Sequence, residues 1–107
     1  MSNVHILYVG NDTALEVGDL RDELTGEALN SASVAVTLKD AAGANVTGGT
    51  WPLAMVYVTD SDGVYRCTLG HALSLTAGQK YTAVITANAG TGLYATWNEE
   101  CVARLRR

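Results

Sequence analysis

Apolar and polar side chains alternate along much of the chain. Val34, Val36 and Leu38 are interleaved with Ala35, Thr37 and Lys39, a period of two that predicts a half-buried β-strand. The same period runs through Tyr65, Cys67 and Leu69, and again through Tyr81, Ala83, Ile85 and Ala87. From Leu93 it continues as Ala95, Trp97, Glu99, Cys101, Ala103 and Leu105. A shorter strand is predicted around Leu15 and Val17. Two further runs, residues 5–9 and 51–58, are apolar on both phases. The first fits a buried strand or an edge ribbon. The second does not reveal its inward side: one face can meet the core and the other a partner.

Turn chemistry separates these runs. Ala42-Gly43-Ala44-Asn45, Asp60-Ser61-Asp62-Gly63 and Ala89-Gly90-Thr91-Gly92 each supply glycine where a positive φ is needed, and Thr25-Gly26 and Gly48-Gly49 punctuate the chain in the same way. Turn signals spaced ~8–15 residues apart suit an antiparallel sandwich. No stretch has a helical period with caps. Residues 19–29 have room for one helical turn, but Thr25-Gly26 interrupts them and predicts a loop with a short extended piece. Leu75-Thr76-Ala77-Gly78-Gln79-Lys80-Tyr81 has the form of a tyrosine corner, in which the phenol bonds back to the backbone at a sandwich bend. The expected fold is therefore all-β, an antiparallel immunoglobulin-like sandwich of about seven strands. Its core should hold Leu15, Val17, Leu20, Val34, Val36, Leu38, Tyr65, Leu69, Leu75, Tyr81, Ala83, Ile85, Trp97 and Ala103.

The chain has 107 residues, which fits one domain over 1–107, with residues 1–10 as an edge strand or arm. At 48% hydrophobic and 17% charged it is not of disordered composition. No apolar run approaches the ~20 residues of a membrane-spanning helix. Met1-Ser2-Asn3-Val4-His5 lacks a basic, then apolar leader, so no signal peptide is expected. The net charge of −4 argues against a nucleic-acid partner held by phosphate contacts.

Candidate chemistry is sparse. Asp60, Asp62 and Gly63 form a fragment of a calcium loop, but the position of its final glutamate is Leu69. His5 and His71 have no Cys, Asp or Glu at metal-ligand spacing. Glu99 and Glu100 are adjacent on a strand, so they point to opposite faces and do not form a facing acid pair. There is no nucleophile elbow and no glycine-rich phosphate loop before a helix. The expectation is no enzyme, no cofactor, no metal and no small-molecule substrate. Cys67 and Cys101 share the apolar phase of their strands and are expected to be buried, reduced thiols.

Charge is unevenly spread. Asp12, Glu16, Asp19, Asp22, Glu23 and Glu27 face only Arg21, a net −5 over residues 12–27, while the chain ends with Arg104, Arg106 and Arg107. Charge runs commonly just solvate a face. The alternative is complementary surfaces on neighbouring subunits, with Trp51 and the apolar stretch after it supplying buried area.

Five segments carry a resemblance. They are Asp19-Leu20-Arg21-Asp22-Glu23-Leu24-Thr25-Gly26, Val34-Ala35-Val36-Thr37-Leu38-Lys39-Asp40-Ala41-Ala42-Gly43, Trp51-Pro52-Leu53, Asp62-Gly63-Val64-Tyr65-Arg66 and the tyrosine-corner segment. In these the chain resembles small immunoglobulin-like virion proteins of tailed bacteriophages and prophages, over about residues 10–107. The resemblance implies a non-enzymatic structural component of the head, neck or tail, made in the bacterial host cytoplasm. It would act through contacts with other virion proteins or with copies of itself, with no membrane partner. The competing expectation is a small carbohydrate- or surface-binding module using exposed Trp51, Tyr57 or Tyr94.

Overall fold

A computed structural model describes residues 4–18, 20–21, 25–90 and 94–105 of the chain. It holds seven strands: β1 (Val4–Tyr8), β2 (Thr13–Val17), β3 (Ser33–Lys39), β4 (Leu53–Tyr57), β5 (Tyr65–Leu69), β6 (Lys80–Asn88) and β7 (Tyr94–Arg104). There is no helix among the described residues. The strands form one mixed sheet in the order β1-β7-β6-β3-β4-β5-β2. It curls almost into a barrel. The two ends of that order meet where the Tyr8 N–H donates to Thr13 Oγ1 at 3.4 Å. β4 turns the corner, pairing with β3 on one side and β5 on the other.

Most ladders are antiparallel, but β1 runs parallel to β7, from Val4 opposite Glu100 to Tyr8 opposite Arg104. This corrects the expectation of wholly antiparallel pairing. Parallel strands need a long connection between them, and here the rest of the domain supplies it. No hairpin dictates the direction of β1. The pairing places Leu7 in phase with Ala103, and Leu7 is buried with it.

The alternating positions converge inside as expected. Leu15, Val17, Val34, Val36, Leu38, Tyr65, Leu69, Tyr81, Ala83, Ile85 and Ala103 are buried, and Leu20, Leu75 and Trp97 pack against them partly buried. Leu7, Val46, Met55, Leu73 and Ala87 complete the core with the two cysteines. In β4 the ambiguity resolves: Met55 is buried, with Leu53 and Tyr57 packed beside it, while Ala54 and Val56 face outward.

Two tyrosines fasten loops to this core. The Thr76 N–H donates to Tyr81 Oη at 2.8 Å, which is the backbone contact expected of the corner. Tyr65, fully buried, donates its hydroxyl to Leu29 O at 2.6 Å and accepts from the Ala32 N–H at 3.0 Å. Residues 29–32 are thereby pinned at the start of β3. The β4–β5 turn abuts the same region. Gly63 has φ +92°, and a Cβ there would lie 2.7 Å from Leu20 O. Only glycine lets the two backbones approach this closely while the Leu20 N–H donates to Gly63 O at 3.0 Å.

Candidate interaction surface

The topology sorts the charged residues by strand end. Lys39 closes β3, and its neighbour Thr82 lies next to Lys80 at the start of β6. Lys80 pairs with Val102, two residues before Arg104. Lys39, Lys80 and Arg104 therefore gather at one end of the barrel, together with Asp40, whose carboxylate accepts from the Ala42 and Ala44 N–H groups. Glu27 lies in the connection from the close of β2 to the start of β3, and exposed Asp60 and Asp62 lie in the β4–β5 turn. These three carboxylates occupy the other end, which Arg21 shares, its guanidinium donating to Gly26 O at 3.0 Å. Asp19, Asp22, Glu23, Arg106 and Arg107 lie outside the described residues.

The acidic stretch does not act as one surface. Asp12 sits at the basic end, where its carboxylate accepts from the His71 backbone N–H at 2.8 Å and meets His71 Nδ1 at 2.9 Å. These two contacts hold the Asp12 carboxyl below its ordinary pKa, the side-chain bond contributing most. Glu16 on β2 is bound by Arg66 on β5, with Nε and Nη2 at 2.8 and 2.6 Å from one carboxylate oxygen. Asp12 and Glu16 are thus engaged in ion pairs within the chain, whereas Glu27, Asp60 and Asp62 are exposed, Asp62 accepting only a long hydrogen bond from Asn30 Nδ2 at 3.5 Å.

The aromatic candidates differ in exposure. Trp51 is half-buried, its indole N–H donates to Val46 O at 2.7 Å, and it packs against Gly49. Tyr57 is also half-buried. Its hydroxyl accepts from the Asp62 N–H at 3.3 Å and its ring tilts against Tyr65. Tyr94 is 65% exposed. Of the three, Tyr94 offers an open ring.

Two further features were not anticipated from the sequence. His5 Nε2 lies 3.0 Å from Glu99 Oε1, joining β1 to β7 on the inward face. The signal was present: Glu99 shares the apolar phase of Trp97 and Cys101, and a carboxylate there calls for a partner. The second is a cleft of about 420 Å³ where β4 and β5 splay apart beyond their two paired positions. It is lined by Leu53, Ala54, Val56, Arg66, Cys67 and Thr68, among others. Arg66 is already committed to Glu16. Burial pushes the Cys67 thiol up to about 11, and the Cys101 thiol likewise to about 11. Both cysteines are buried and unpaired, and neither is primed as a nucleophile. Among the described residues no three metal-ligating side chains converge.

No protein-family model, curated protein or solved structure matches the chain.

Proposed function

We propose that this chain is a non-enzymatic structural component of a bacteriophage particle, in the head, neck or tail, acting by protein–protein contacts. Its partners are other virion proteins or copies of itself. The observation that carries this reading is the unlike charge of the two ends among the described residues: Lys39, Lys80 and Arg104 outnumber Asp12 and Asp40 at one, and Glu27, Asp60 and Asp62 outnumber Arg21 at the other. Two unlike ends suit a heterologous, head-to-tail contact of the kind that builds rings and tubes. Exposed ion pairs contribute only ~0.2–1 kcal/mol each, so charge sets orientation and neighbouring apolar area supplies affinity.

The module is of immunoglobulin-like kind. Two neighbour relations and one side-chain contact support this: β2 beside β5, the row β3-β6-β7, and a tyrosine corner opening β6. Mass spectrometry of purified particles from the source tests the role. The chain should be present at a fixed copy number. Its absence from intact particles rejects the reading.

A carbohydrate- or surface-binding module is the second reading, favoured by the exposed ring of Tyr94. Glycan-array binding that is lost on Tyr94→Ala would select it instead.

A further inference from the structure

β7 is eleven residues long, but among the described residues β1 covers it only at residues 100–104. Backbone direction along β7 follows from its bonds. Ala103 donates its N–H to Gln79 O and accepts at its O from the Gly78 N–H, both on the β6 side. Arg104 O instead accepts from the Val9 N–H, on the β1 side. Because successive residues alternate, the N–H and C=O groups of Tyr94, Thr96 and Asn98 point away from β6. They form an edge that no described strand covers. Proteins blunt such edges with lysine, proline or bulges; residues 94–98 contain neither lysine nor proline and pair with β6 without interruption.

We propose that this edge pairs antiparallel with the same edge of a second copy, with the two-fold axis at Thr96. In that register Tyr94 faces Asn98 of the other copy and Thr96 faces its equivalent. The three N–H and three C=O groups of each copy then close into six hydrogen bonds, so the edge is its own complement. On the inward face, exposed Ala95 falls opposite partly buried Trp97, a small residue beside a large one. On the outward face threonine meets threonine, a favourable cross-strand pair. No like charges meet, since Glu99 lies beyond the paired stretch and is held by His5. Moving the axis to Trp97 places Tyr94 opposite Glu100, a position β1 already occupies. This contact goes beyond the proposed role and needs no particle to occur.

Five paired residues make an interface below the standard size, so the dimer is weak and needs high concentration to form. Each copy carries −4, so added salt strengthens this contact by screening repulsion. The test is analytical ultracentrifugation together with amide hydrogen exchange on the full chain, at about 0.02 and 1 mM. The expected result is a dimer at the higher concentration, with the amides of Tyr94, Thr96 and Asn98 protected only there. Thr96→Pro should abolish the dimer and leave the fold intact, because the N–H it removes points off the β6 ladder. Should that variant fail to fold, Thr96→Lys places two ammonium groups at the axis and should also give a monomer. A monomeric wild type at about 1 mM overturns the proposal. So does a dimer that survives either substitution, or protection of the three amides that is independent of concentration.

Discussion

Single side chains decide how firmly the loops are held. Tyr65 and Tyr81 are both buried, and each uses its hydroxyl on backbone. Their losses should differ. Tyr65 serves two backbone groups, Leu29 O and the Ala32 N–H, beside the core. Tyr81 accepts from Thr76, an exposed residue whose N–H turns to water when the hydroxyl is removed. Tyr65→Phe should therefore cost ~1–3 kcal/mol and Tyr81→Phe ~1 kcal/mol or less. Chemical denaturation of both variants measures this, and a larger loss at Tyr81 would contradict the assignment. Alternation marked Tyr65 as a core residue, but its anchoring role was not legible. Its partners are more than thirty residues away, in a segment without periodicity. The contacts Asp12–His71 and Glu16–Arg66 were hidden for the same reason: both join residues at least fifty positions apart.

At the scale of elements, the strands with a clean period of two were legible with their inward faces: β3, β5, β6 and the second half of β7. β4 was legible as an element but not as a face, because Leu53, Met55 and Tyr57 alternate with Ala54, Val56 and Val58, all apolar. Only the corner position of β4 decides the matter. The direction of β1 was not legible at all, since its partner lies at the other end of the sequence. The two cysteines show what burial on these strands does. Burial raises both thiols from an ordinary value of 9.0 to about 11. A raised pKa means that the folded state keeps its protons longer than the unfolded chain. The stability this carries is complete below about pH 9 and is lost as pH rises toward about 11. Urea unfolding across that range should show a decline that is shallower in the variant Cys67→Ala/Cys101→Ala. An equal slope in both proteins would show that the thiols are not protected. At neutral pH, alkylation should label the cysteines only after unfolding.

The whole molecule measures 42 × 28 × 27 Å, and among the described residues basic side chains outnumber acidic ones at one end of the strands and acidic ones outnumber basic at the other. A head-to-tail contact driven by these ends should weaken in ~0.5–1 M salt as the Debye length shortens. The edge pairing through β7 should strengthen under the same conditions, so ionic strength separates the two contacts. The central claim, that the chain works through contacts at its unlike ends, is tested most directly by carbodiimide cross-linking of purified particles. The seven residues of β3 hold Lys39 roughly 20 Å from the opposite end, at ~3.3 Å per residue. A zero-length bond from Lys39 or Lys80 to Glu27, Asp60 or Asp62 therefore cannot form within one molecule. The account predicts such bonds between copies, or bonds from these same residues to another virion protein. Particles that contain the chain but yield no cross-link at either end would contradict it.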